Sequence, residues 1–262
     1  MKYYSDLVAL GCFTRNELTA LTGNYNTAGT LLKSYLHNGY VQKVKRNLYV
    51  AVNLVDNEPV ISKFRIAGKI TETAYVSHHA AFEYYGCANQ VSYQVEVSSE
   101  TPFVPFDFAG NTYAYFASRI KNGVITRPDG VPVTDTERTI LDGIHDFEKV
   151  MGLEELLRCL ALVPSVKEDT LLEYLAVYNK QVLYQKVGYI LRHFQEEFHL
   201  SETFFTECAA HIGKSTRYMT AGGGGVYDKE WRLVVPENLM RLTMFLPCCN
   251  GKYGIIQKGN LF

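Results

Sequence analysis

Between residues 14 and 51 the apolar positions change period, and the change marks out a helix, a turn, a second helix and a hairpin. Thr14 precedes an apolar run and Glu17 follows three residues later, the spacing at which hydroxyl and carboxylate each satisfy a backbone N–H at a helix start. Leu18 and Leu21 then fall on one face. Gly23 and Asn24 both tolerate positive φ and predict a break. Asn26 is placed to cap a second helix. In that helix Ala28, Leu31, Leu32, Tyr35 and Leu36 recur at helical spacing and predict one core-facing stripe. Gly39, after His37-Asn38, predicts its end. From Tyr40 the period falls to two. Residues 40–44 and 48–51 predict strands joined by Lys45-Arg46-Asn47, with Asn47 suited to a left-handed turn position.

Further on, residues 53–59 are polar and read as a linker, and residues 61–70 form a short amphipathic stretch. Tyr75-Val76 reads as a buried strand end, and Ser77 is placed to cap a helix over 78–85 that stops at Gly86. Residues 91–98 alternate, with Val91, Tyr93, Val95 and Val97 on one side. Residues 103–108 and 113–117 flank Ala109-Gly110-Asn111, a hairpin signal, and 124–126 pairs with 131–133 across Pro128-Asp129-Gly130. Thr134 or Asp135 caps a helix through Asp142, residues 147–212 are helical with turns near Pro164 and Leu200, and 217–220 and 226–235 read as closing strands. The sum is an α+β chain: a winged helix-turn-helix over residues 1–56, a mixed α/β domain with a helical segment over 60–240, and a tail over 241–262.

The face of the second helix opposite its core stripe carries Asn26, Thr27, Thr30, Lys33, Ser34 and His37, which form hydrogen bonds and include no carboxylate. Lys43, Lys45 and Arg46 make the hairpin basic at its tip. A helix in the major groove with a basic wing over phosphate is the DNA-binding use of this arrangement. Thr27, Thr30, Lys33, Ser34 and His37 are therefore the expected base-facing residues, and Lys43, Lys45 and Arg46 the expected phosphate contacts. Charge favours that reading over a protein-interaction module. Residues 1–55 hold six basic residues (Lys2, Arg15, Lys33, Lys43, Lys45, Arg46) against Asp6 and Glu17, a net +4, which leaves −5 on the rest of a chain whose total is −1.

Composition adds bounds. With 47% hydrophobic and 13% aromatic residues among 262, the chain can build packed cores, and its length suits two domains. A continuous apolar run of ~18 residues, the length a membrane span needs, is absent. The N-terminus MKYYSDLVALGC has no apolar signal region, so a cytoplasmic location is expected. Six cysteines lie scattered without a C-x-x-C pair, which favours reduced thiols in cores over metal or disulfide.

Catalytic patterns are weak. Ser77-His78-His79 reads as a serine cap with two first-turn histidines, and adjacent histidines do not chelate as an i, i+4 pair does. Asp135, Glu137 and Asp142 begin one helix, where they complement its positive end or pair with Arg138. The glycines at 222–225 lack the Lys-Ser/Thr of a phosphate-binding loop. Asp228 and Glu230 lack the spacing of a metal-dependent nuclease. No catalytic residue, cofactor or metal is expected; the rival expectation is a nuclease or transferase targeted by the wing, with its active site in the C-terminal domain.

After the wing strand Leu-Tyr-Val come YVSHHAAFEYYG at 75–86, VPVTDTERTILD at 131–142, KVGYILRHFQ at 186–195 and YDKEWRLVVPENL at 227–239. In this order the blocks resemble the AbiEi-type antitoxins, regulators of type IV toxin–antitoxin (abortive infection) systems. The resemblance implies a winged helix that binds inverted repeats in the chain's own promoter. It also implies a C-terminal domain that completes repression and neutralises an AbiEii-like nucleotidyltransferase toxin. Many members have glycine at the wing tip where this chain has Asn47. The toxin's own signature, Gly-Ser followed by a D-x-D pair, is absent, which places the chain on the antitoxin side. The resemblance ends near residue 239; the last 23 residues, with Cys248-Cys249, match no known pattern.

Overall fold

The computed structural model describes residues 2–237 and Leu239; the expected tail over 241–262 lies outside the described residues. The fold is α+β, and the chain divides into two compact units. One holds the residues up to Gly86 together with Val91–Asp142, the other Cys87–Gln90 and the chain from Gly143 onward.

The first unit opens with α1 (Tyr4–Leu10) and β1 (Cys12–Phe13), two elements too short to announce themselves by periodicity. Between them Gly11 takes φ +71, and a Cβ there would lie 2.4 Å from Ile61 Cγ2, so only glycine fits. Next come α2 (Arg15–Thr22), α3 (Tyr25–His37), β2 (Val41–Lys45) and β3 (Leu48–Ala51), with the three strands ordered β1-β3-β2, all antiparallel. The helices close over Leu7, Phe13, Leu18, Ala28, Leu32, Tyr35, Val41 and Ala51.

After α4 (Lys63–Ala67) the chain builds a six-stranded sheet around β4 (Tyr75–Val76), α5 (His78–Tyr84), β5 (Gln94–Ser99), β6 (Phe106–Phe108), β7 (Asn111–Ala117), β8 (Val124–Thr126) and β9 (Pro132–Thr134). Its order is β6-β7-β5-β4-β9-β8, with β5/β7 and β4/β9 parallel and the other pairs antiparallel. The β6–β7 hairpin turns on Ala109 (φ 47) and Gly110 (φ 72), both left-handed as a two-residue hairpin turn requires. The strand expected from residue 91 begins only at Gln94, opposite Thr112 of β7, and from Val95 to Ser99 it is buried at every position instead of alternating; Val91 and Tyr93 are 77% and 76% exposed.

The expected boundary near residues 56–60 is not where the chain divides. Cys12, Val44, Leu48 and Val50, from β1 and the β2–β3 hairpin, belong to the same core as Ile66, Val76, Val95, Val97, Tyr113 and Val133. One face of the small sheet thus packs against the six-stranded sheet and α4, and apolar burial makes the two a single unit. The division falls instead within α6 (Thr136–Val150), which runs past the expected end at Asp142 and breaks from helical geometry at Asp146.

The second unit contains α7 (Gly152–Ala161), α8 (Glu168–Tyr178), α9 (Gln181–Arg192), α10 (Gln195–Phe198) and α11 (Glu202–Ala210), then β10 (Arg217–Tyr218), β11 (Val226–Asp228) and β12 (Leu233–Val235). The expected single run over 226–235 is two antiparallel strands, since the chain reverses through Arg232 at φ 49. Helix α9 is buried from Leu183 to Leu191. It pays for this with Gln185, whose Nε2 donates to the carbonyls of Trp231 (3.0 Å) and Arg232 (3.2 Å). No described helix is long and apolar enough to cross a membrane.

Candidate nucleic-acid interface

At the start of α2, Thr14 Oγ1 accepts the Glu17 N–H at 3.3 Å, and Glu17 Oε2 accepts the Thr14 N–H at 2.6 Å, the expected reciprocal cap. Partial burial pushes the Glu17 carboxyl up, but its bonds to Thr14 and the charge of Lys69 outweigh this and hold it below its ordinary range. The helix stops at Gly23, φ +70. Asn24, and not Asn26, caps α3: its Oδ1 accepts the N–H groups of Asn26 (2.9 Å) and Thr27 (3.0 Å). The turn is two residues tighter than expected, so α3 starts at Tyr25.

Along α3 the stripe is narrower than the pattern implies. Ala28, Leu32 and Tyr35 are buried, Leu31 is half-buried and Leu36 is exposed. Tyr35 anchors the helix by donating its hydroxyl to the Lys2 carbonyl and by an edge contact with Tyr40 at 5.4 Å. Thr27, Thr30, Lys33, Ser34 and His37 are all exposed. Ser34 is partly engaged, since Asn38 Nδ2 donates to its carbonyl at 2.8 Å and reaches its Oγ at 3.3 Å.

On the hairpin, Asn47 takes φ 60 and Lys43 and Arg46 are exposed. Lys45 departs from its expected role. It is half-buried, its Nζ donates to the Ile70 carbonyl at 2.9 Å, and it lies over the rings of Phe103 (5.4 Å) and Phe106 (6.0 Å). Burial lowers its pKa. Lys45 is a strut from the hairpin to the larger sheet, which leaves Lys43 and Arg46 as the hairpin's exposed cations.

Arg15, which the sequence offered only as one charge among six, joins the two parts of this surface. Its N–H donates to Asn47 Oδ1 at the hairpin tip (3.2 Å), and its guanidinium lies 3.9 Å above the ring of Tyr25 in the first turn of α3. Hairpin tip and helix start therefore lie within one arginine's reach.

The other sequence candidates are engaged in local hydrogen bonds or ion pairs, several of them buried. Ser77, His78 and His79 are at most 4% exposed. Ser77 Oγ meets His78 Nδ1 at 2.8 Å and Ser98 Oγ at 2.7 Å and does not cap α5. Glu96, from β5, accepts the Ala80 N–H at 2.8 Å in its place, and burial raises its pKa. Asp135 accepts the Arg138 N–H at 2.8 Å, the expected cap of α6. Arg138 is 1% exposed, pairs through Nε with Asp142 at 3.1 Å and donates to the carbonyls of Ile120 and Asn122. In the second unit Asp228 accepts the Trp231 N–H at 2.8 Å and Glu230 pairs with Arg192 at 3.1 Å. Cys12, Cys87, Cys159 and Cys208 are buried and in no disulfide among the described residues, and burial pushes the Cys12 thiol up to about 12. Cys248 and Cys249 lie outside the described residues.

No family model matches this sequence, and no curated protein matches it. Among solved structures, the chain is similar to the crystal structure of RV2827C protein from Mycobacterium tuberculosis, with a TM-score of 0.65 at 13% identity over 93% of this chain and 92% of that one. At that identity the likeness is one of fold, and it extends through both units.

Proposed function

We propose that this chain is a sequence-specific DNA-binding transcriptional repressor with an N-terminal winged helix, and that it serves as the antitoxin of an AbiE-like type IV toxin–antitoxin pair in the cytoplasm. The observation that carries the DNA-binding reading is the exposed, carboxylate-free face of α3, with Thr27, Thr30, Lys33, Ser34 and His37, beside the exposed Lys43 and Arg46. Hydroxyls, an ammonium and an imidazole suit base edges in a major groove. Cations on a hairpin suit phosphates on either side of it. Repression follows from occupying inverted repeats in the promoter.

The antitoxin part rests on the order of the four sequence blocks. Their residues are largely core-forming: Val76, Val133, Arg138, Ile140, Val187, Ile190, Trp231 and Leu233 are all buried. Such blocks support a shared fold more strongly than a shared partner surface. Two experiments bear on the two halves of the reading. The full chain should bind duplex DNA from upstream of its own gene, in preference to scrambled duplex. Co-expression with the neighbouring reading frame should relieve growth arrest if that frame encodes a nucleotidyltransferase toxin; arrest without relief rejects the antitoxin role and leaves DNA binding to be judged on its own assay.

A further inference from the structure

We propose that Arg15 is a phosphate-binding residue, held ready by Tyr25 and Asn47 for a backbone phosphate of nucleic acid. This rests on the DNA-binding reading above and adds a contact carried by α2, outside both the helix face and the hairpin cations. Three features make the site a built one. The guanidinium carbon lies 3.9 Å from the centre of the Tyr25 ring, a cation–π contact that restrains where the group can sit. The backbone of the same residue is tied to Asn47 at the hairpin tip. Gly29, one turn beyond Tyr25, leaves room for the fork, since a Cβ there would lie 2.8 Å from Nη2.

Among the described residues no carboxylate pairs with this guanidinium. Glu17, the acid nearest in sequence, is engaged by Thr14 and pairs with Lys69 at 3.6 Å. Arg15 Nε is buried with no hydrogen-bond partner among the described residues. By contrast Arg138, Arg158 and Arg192 each meet a carboxylate. Nε is enclosed and the terminal nitrogens are not, so an anion would be met by Nη1 and Nη2, and a guanidinium without a carboxylate gains from an oxyanion that accepts from both. Phosphate is that anion, and the position between hairpin tip and α3 is where a backbone strand would run if the two parts grip one duplex.

The test is fluorescence anisotropy of the full chain with its promoter duplex and a scrambled duplex, across a salt series, for the parent, Arg15→Gln, Arg15→Lys and Tyr25→Ala. Arg15→Gln should weaken both duplexes by the same factor, roughly three- to tenfold, and flatten the salt slope by about 0.9, the value of one lost phosphate contact. Arg15→Lys keeps the charge but not the fork, so it should weaken both duplexes a few-fold with a slope near the parent's. Tyr25→Ala should act in the same direction, and Tyr25→Phe should restore binding. Should Arg15→Gln fail to fold, as read by circular dichroism, Arg15→Lys decides, and parental affinity there overturns the proposal. Unchanged affinity and slope in Arg15→Gln, while neutralising Lys43 and Arg46 weakens binding, overturns the proposal and spares the DNA-binding reading. Loss confined to the promoter duplex marks a base contact and overturns the phosphate assignment. A parent that binds neither duplex overturns both.

Discussion

Gly188, inside α9, shows how closely single positions are specified. A Cβ there would lie 2.0 Å from Trp231 Cζ3, and the indole is 1% exposed with nowhere to retreat. Glycine inside a helix normally costs about 1 kcal/mol relative to alanine, so here contact with the tryptophan overrides propensity. Gly188→Ala should therefore destabilise the second unit by roughly 1–3 kcal/mol through overpacking, seen as a lower thermal midpoint; an unchanged or raised midpoint would show that α9 and Trp231 do not meet this way. The Thr14–Glu17 cap carries a second residue-scale prediction. Its carboxyl has a folded pKa below the ordinary value, so ionisation favours the folded state. That contribution is present above the ordinary glutamate range and is lost as pH falls through it. Thr14→Ala should cost about 1 kcal/mol at neutral pH, and the difference from the parent should shrink below pH ~4 in denaturant titrations. A difference that stays constant across that range would put its origin elsewhere than in the carboxylate.

Among the elements, the β2–β3 hairpin decides how the N-terminal residues behave on their own. Val44, Leu48 and Val50 point into the core that Val76, Val95 and Val133 complete. A fragment of residues 1–56 would expose that surface, so it should lack a cooperative thermal transition and bind DNA far more weakly than the full chain. A cooperative melt of the fragment with full DNA affinity would contradict the shared core. Sequence was informative at several local signals: the Thr14–Glu17 spacing, Gly23, the left-handed Asn47, and the Ala109-Gly110 turn fold as their chemistry dictates, whereas the cap expected at Asn26 falls on Asn24. It was silent where the cause lay far along the chain. Cys12-Phe13 is a strand only because β3 pairs with it, and Gln94 starts β5 only because β7 begins opposite. Glu96 caps α5 from another strand, and Lys45 is claimed by Ile70 and two phenylalanines. At the candidate interface, the exposed face of α3 was legible from its period. Arg15 was not, because neither its stacking on Tyr25 nor its tie to Asn47 follows from spacing.

On the scale of the whole chain, charge is unevenly divided along the sequence. Residues 1–55 carry +4 and the remainder −5, an asymmetry along the sequence that fits the proposed DNA-binding role of the N-terminal residues. The central claim is that α3 and the hairpin bind promoter DNA as a groove-reading helix with phosphate-gripping cations. The most direct measurement is the salt dependence of anisotropy for the full chain on its own promoter duplex, parent against a Lys43→Gln, Arg46→Gln double variant, with Thr30→Ala, Ser34→Ala as the base-reading counterpart. The account predicts that the hairpin variant weakens promoter and scrambled duplex alike and lowers the salt slope by about 1.8. It predicts that the helix variant loses promoter affinity while keeping affinity for scrambled DNA. Equal slopes for hairpin variant and parent, together with an unchanged promoter preference in the helix variant, would contradict it.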